Sequence, residues 1–165
     1  MKSFYLILFF VLSIGNIYVY QTIFTPRVLE VSVLEVGKGD AILVRTPNGK
    51  TLLIDTGPDA SILRALGTAL PEWQRSIDAI VLTSEKSGAI KGLPDVMSRY
   101  TIPTPIRFGT SAIPYGTRLR LDDVQVAVLY HGTLTVSYGV TSFDISSTTP
   151  KGIYISDGET VTRSK

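Results

Sequence analysis

From Phe4 to Phe24 the chain reads FYLILFFVLSIGNIYVYQTIF, 21 positions without an Asp, Glu, Lys or Arg. As a helix this run is long enough to cross a hydrocarbon core roughly 30 Å thick. It predicts a single-pass membrane anchor over residues 1–25, with Tyr18 and Tyr20 where a membrane interface favours aromatic rings. A cleaved signal peptide is the other reading, with Lys2 as a short basic region, Phe4 to Leu12 as the apolar stretch and Ser13-Ile14-Gly15 as a small-x-small site. The apolar run continues past Gly15, which favours the anchor. Lys2 and the terminal amine, set against Arg27 on the far side, orient the N-terminus to the cytoplasm and the domain to the extracytoplasmic side. Cleavage would instead secrete it.

Thr25-Pro26 breaks that helix, because proline disfavours helix at the residue before it. The second unit therefore runs over 26–165. Its patterning starts as β: VLEVSVLEV (28–36) alternates and then turns at Gly37 and Gly39. AILVR and KTLLID flank Thr46-Pro47-Asn48-Gly49, and Asn-Gly between two apolar runs predicts a hairpin. Ile62, Leu63, Leu66 and Leu70 recur at helical spacing over Asp59 to Leu70, with Asp59 or Ser61 able to cap the start. SIDAIVLT (76–83) follows as a buried strand, so the strand, helix, strand succession implies a parallel pair and a crossover. A shorter helix is expected after Pro94, since proline suits the first helical turn. Beyond Thr101 only short β segments and turns recur, ending in the hairpin GIYISDGETVTRS. Trp73, at the exit of the first of these helices, reads as a core plug rather than a base-stacking platform.

At 165 residues the chain has room for one domain with a real core. Charged residues make up 18%, below the roughly 25% of an average globular chain, because the uncharged residues concentrate in the first segment. The formal charge is +2, too mild a basic excess for a dedicated nucleic-acid stripe. With no cysteine there is no disulfide framework, thiolate nucleophile or thiolate metal site.

Three stretches together resemble a known family: SVLEVGKGDAILVRTPNGKTLLIDTGP, then IDAIVLTSEKSGAIKGLPDV, then GTRLRLDDVQVAVLYHG. They are similar to the metallo-β-lactamase-fold hydrolase domain of ComEC-type competence proteins, over roughly residues 30–146. The resemblance implies an α/β fold: a shortened, β-rich αββα sandwich behind one N-terminal transmembrane helix, with two helices in its first half and few or none in its second. Family members carry L-T-H-x-H-x-D-H-x-G-G-L in the second stretch, where histidines and an aspartate hold zinc or manganese. Such a metal lowers the pKa of bound water from 15.7 to about 7 when imidazoles and carboxylates hold it in an open geometry.

Aligned on that motif, Ser84 and Lys86 stand at the first two histidines, Gly88 at the aspartate and Ala89 at the third histidine. All four ligand positions are changed. Glu85 is a single carboxylate between Ser84 and Lys86, and nearby ammonium groups oppose a divalent cation. The one histidine, His131, lies in a predicted turn and carries no catalytic role. The position of the family's bridging aspartate falls near Thr148, while Asp144 lies within a strand.

Gly37-Lys38-Gly39-Asp40 reads as a tight turn with Asp40 bonding local amides, rather than a phosphate nest. Asp40 and Asp55, where the family keeps aspartates beside the metal, are expected to be structural, orienting loops through backbone N–H groups. Lys86 and Lys91 are candidate phosphate-binding residues, because fixed ammonium groups can meet a phosphate without cleaving it. The expected function is a membrane-anchored, non-catalytic homologue of the competence-type hydrolase domain, a pseudoenzyme acting as a binding or scaffold module linked to DNA uptake. No catalytic residue and no cofactor are assigned. The alternative is an active metal-dependent hydrolase or nuclease whose rearranged site draws on Asp40, Asp55, Glu85 and His131 and takes zinc, manganese or magnesium. Expected partners are the membrane through residues 4–24, nucleic acid weakly, and a protein whose identity the sequence does not carry.

Overall fold

The structure is a computed structural model that describes residues 2–24, 27–84, 86–105, 114, 116–129, 133–146 and 148–164, with side chains of the first helix described from 5 to 17. That helix, α1, is Lys2–Phe24. It is apolar all round: Leu6, Phe9, Phe10 and Ile14 are each 60% exposed or more. The described side chains cover only 13 positions, Tyr5 to Ile17, short of the roughly 20 that a span needs. Among the described residues no helix is long and apolar enough to cross a membrane, so the expected transmembrane helix is not supported there.

The domain is organised by a seven-stranded sheet in the spatial order Val161–Ser164, Gly152–Ser156, Leu29–Val33, Ile42–Arg45, Thr51–Ile54, Ala79–Val81 and Thr104–Pro105. Strands β1 (Leu29–Val33), β2 (Ile42–Arg45) and β3 (Thr51–Ile54) form an antiparallel meander. The predicted hairpin joins β2 to β3: Gly49 takes φ 83°, and its amide donates to the Thr46 carbonyl at 2.9 Å. Only glycine adopts that backbone region without steric cost, which is why Asn48-Gly49 ends the turn. α2 (Ser61–Ala69) then crosses to β4 (Ala79–Val81), which pairs parallel with β3. Its start is held by Asp59, whose carboxylate accepts from the Ser61 amide at 2.8 Å.

A one-turn helix α3 (Ser87–Ile90), at a position that reads as loop in the sequence, precedes α4 (Leu93–Arg99), where Pro94 sits in the first turn. β5 (Thr104–Pro105) closes that edge, again parallel. The other edge comes from the far end of the chain. β10 (Gly152–Ser156) and β11 (Val161–Ser164) form the last predicted hairpin, and β10 pairs antiparallel with β1 in the register Leu29 to Ser156. No local pattern announces that pairing, because it spans most of the domain.

β6 (Arg118–Leu121), β7 (Val124–Val128), β8 (Leu134–Tyr138) and β9 (Thr141–Ile145) make a second, antiparallel sheet in chain order. Its inner residues Val124, Val126, Val128, Leu134, Val136 and Ile145 are buried against Val31, Val44, Leu52 and Ile54 of the first sheet. The opposite face of the first sheet, with Leu43, Leu53 and Ile80, packs on Ile62 and Leu66 of α2 and Val96 of α4.

The expected αββα sandwich is thus corrected to three layers among the described residues: helices, seven strands, four strands. The reason is in the alternation. Gln125, Ser142 and Asp144, with Arg118 and Arg120, point away from the core and are exposed, so the outer face has little to bury under a fourth layer. Trp73 is a second correction. It is 81% exposed, and Leu70 and Tyr100 fill the end of the helix-side core that it was expected to plug.

Candidate functional site

Parallel strands β3 and β4 end side by side, and the crevice beyond the carboxyl ends of parallel strands is where α/β folds place ligands. Here a cleft of about 760 Å³ opens between the two sheets' ends. Lys38, Gly39 and Asp40 wall one side, Thr83, Ser84 and Lys86 to Ala89 another, and Val128, Leu134, Ile145 and Ser146 of the second sheet a third.

The loops interlock through backbone. A Cβ on Gly39 would overlap the Gly88 carbonyl oxygen and lie 2.6 Å from Pro58 Cδ, so only glycine fits. Thr56 fixes the other side: its amide and its hydroxyl donate to the Ala89 carbonyl at 2.6 Å and 3.0 Å. The segment that would carry metal ligands is therefore clamped between two loops of the first hairpin unit, with its own backbone as the contact.

Asp55 is the buried charge of the site, 6% exposed, in the left-handed region at φ 57°. Aspartate tolerates that conformation better than most residues. Its carboxylate accepts from the Thr83 amide at 2.8 Å and from the Thr83 hydroxyl at 2.5 Å. Burial pushes its pKa up to about 6, the Thr83 hydrogen bonds pulling the other way.

The structure brings Ser84, Lys86, Gly88 and Ala89 together on the cleft wall, with Asp40 and Asp55 also lining it. Asp40 is half exposed and faces Lys151 at 3.9 Å, where the sequence suggested local amides as its partners. Lys91 is exposed and does not line the cleft, so the Lys86 and Lys91 pair does not converge there. Lys38 takes that place on the wall. Asp144 lies on the outer face of the second sheet and accepts from the Thr135 hydroxyl at 2.6 Å, turned away from the site. Thr148 is exposed, and its hydroxyl pairs with that of Ser146 at 2.8 Å. Glu85 and His131 lie outside the described residues.

The sequence reading sets Lys38 aside in a tight turn rather than a phosphate nest, and does not single out Thr83 or Ser146. A signal existed for Lys38, since the Gly37-Lys38-Gly39 spacing marks a loop whose backbone must approach another closely. Thr83 and Ser146 follow strands and carry no spacing that distinguishes them from ordinary strand-end residues.

The residues present do not fit the divalent metal of the resembled family. Ser84 offers one hydroxyl, already accepting from the Lys86 amide at 3.1 Å; Lys86 brings an ammonium; Gly88 and Ala89 bring no donor side chain. Among the described residues no three His, Asp or Glu side chains group closely enough to hold a metal ion. The cleft's polar lining is instead two ammonium groups, Lys38 and Lys86, the carboxylates of Asp40 and Asp55, and the hydroxyls of Thr83, Ser84, Ser87 and Ser146.

No protein-family model matches the sequence. No curated protein matches it either. Solved structures do. A metallo-β-lactamase from Cronobacter sakazakii with an HARLDQ motif, in a mutant form, is 16% identical with a TM-score of 0.52, over 70% of this chain and 60% of that one. Another structure described as a Cronobacter sakazakii metallo-β-lactamase with an HARLDQ motif is 17% identical with a TM-score of 0.48, over 68% of this chain and 54% of that one. A diphosphatase of the PhnP family is 17% identical with a TM-score of 0.46, over 70% and 63%. The chain spans less than two thirds of each of these chains. At such identities the likeness is one of fold and says nothing about the ComEC type in particular. The chain has a mixed α/β, β-rich, metallo-β-lactamase-like fold.

Proposed function

We propose that this chain is a membrane-anchored, non-hydrolytic binding module, its cleft holding an anionic group such as a nucleic-acid phosphate. The observation that carries the reading is the composition of the cleft wall: Ser84, Lys86, Gly88 and Ala89 stand where the resembled motif has ligands, and Lys38 joins Lys86 beside them. An ammonium attracts a phosphate as a point charge but generates no hydroxide nucleophile, so binding without cleavage is the chemistry this donor set favours. The link to DNA uptake rests on the resemblance to ComEC-type domains alone. Attachment through α1 is supported by the apolar side chains that its described part exposes, Leu6, Phe9, Phe10 and Ile14 among them, a patch that water does not favour.

The test uses the full chain in detergent micelles, titrated into fluorescent single- and double-stranded DNA at several salt concentrations. Binding is expected to weaken steeply with salt and to fall at least tenfold in Lys38→Glu, Lys86→Glu, since each phosphate contact contributes to the salt slope. Lys91→Glu is expected to change it little. Stoichiometric zinc uptake with chelator-sensitive DNA cleavage would overturn the non-hydrolytic reading.

A further inference from the structure

Strand direction gives the domain two distinct ends. β1 runs from Leu29 toward Val33 at the cleft, so the chain passes from α1 into the domain at the end opposite the cleft. The exposed apolar residues Trp73, Val140 and Val161 lie at that same end. Val140, 87% exposed, is in the turn from β8 to β9, and its amide donates to the Gly158 carbonyl at 2.8 Å. Gly158 follows β10, whose Ser156 pairs with Leu29 on one side and Val161 on the other. Val140 and Val161 therefore flank the point where α1 hands over to β1. Trp73 lies before β4, where Asp78 binds the Thr51 amide at the start of β3 and Arg45 donates to the Ala69 carbonyl at the end of α2. The tips of these loops point away from the cleft.

We infer that this end of the domain is a lipid-facing seat: Trp73, Val140 and Val161 rest in the headgroup region of the bilayer that α1 enters, and the cleft opens away from it. The inference rests on the membrane attachment proposed above. An exposed tryptophan fits an interface because its ring is apolar and its N–H polar. Charge does not drive the contact. Arg27, Lys50, Arg75 and Arg120 at this end stand among Glu72, Asp78, Asp122, Asp123, Asp157 and Glu159, a mixed surface that suits zwitterionic lipid better than a strongly anionic one.

The molecule supplies its own probe, since Trp73 is its one tryptophan. The full chain is reconstituted into phosphatidylcholine vesicles with a quencher attached to the headgroup or to shallow acyl positions, and flotation and Trp73 fluorescence are read together. Co-flotation with Trp73 quenched at least twofold is the expected result, reduced by Val140→Asp and Val161→Asp without loss of flotation. A second reporter at the cleft end, Trp73→Phe with Leu129→Trp, is expected to stay unquenched in the same vesicles. Flotation with Trp73 unquenched, or with both reporters quenched alike, overturns the seat and leaves attachment standing. Failure to float overturns both.

Discussion

The two sheets solve the same packing problem in opposite ways. The seven-stranded sheet is covered on both faces at its centre, so β2 and β3 read ILVR and TLLI with almost every position buried, while its edge strand β11 is exposed throughout. The four-stranded sheet is covered on one, so β7 reads VQVAV with buried and exposed positions alternating. Strands covered on both faces have no side on which water can meet polar residues, whereas a sheet covered on one face keeps such a side. The difference teaches why the described residues form three layers. The four-stranded sheet has already met its burial requirement, and its outer face is hydrated by design of its alternation.

The largest effects come from testing that contrast directly. Leu52 and Leu53 face opposite cores, so Leu52→Asp and Leu53→Asp are each expected to abolish folding, at more than about 4 kcal/mol, since a charge is buried unpaired. In the second sheet Val126→Asp is expected to do the same, while its neighbour Gln125→Asp shifts stability by less than about 0.5 kcal/mol. Chemical denaturation of the full chain in detergent reads all four. Equal damage from Gln125→Asp would mean that the outer face is covered.

Asp55 extends the burial of the first sheet to a carboxylate. Its folded pKa of about 6 lies above the ordinary 3.8, so the folded state holds the proton more tightly between those values. Stability from this group is present at acid pH and is lost as pH rises from about 4 to 6, by about 3 kcal/mol for a shift of about two units. Asp55→Asn keeps the shape and tolerates the positive φ, so it is expected to flatten that part of the stability profile and raise stability at pH 7.5. An unchanged slope would show that the carboxylate is hydrated.

Smaller effects follow from glycine. A Cβ on Gly92 would overlap the Thr56 carbonyl oxygen and sit 3.0 Å from that of Asp59, so Gly92→Ala is expected to cost about 2 kcal/mol and loosen the cleft wall. Gly67 in α2 has open space, and Gly67→Ala is expected to stabilise by about 0.5 to 1 kcal/mol through helix propensity. Thermal unfolding of the two variants side by side measures the difference.

Much of this was legible from the residues. Asn48-Gly49 placed the hairpin, and the period of Ile62, Leu66 and Leu70 placed α2. These are local matters, decided by backbone preference and side-chain periodicity within a few residues. The candidate chemistry was read less well. Lys91 sits two residues from Ala89 in sequence, yet helix α3 turns it out of the cleft, while Lys38 arrives from a distant loop.

By itself, then, the sequence determined most of the elements and their order, because each depends on residue type at short range. Tertiary structure alone decided that β10 would close on β1, that Gly39 would press on Gly88, and that Trp73 would face outward. Those outcomes depend on how buried area is shared among elements far apart in the chain, and no window of neighbouring residues contains that information.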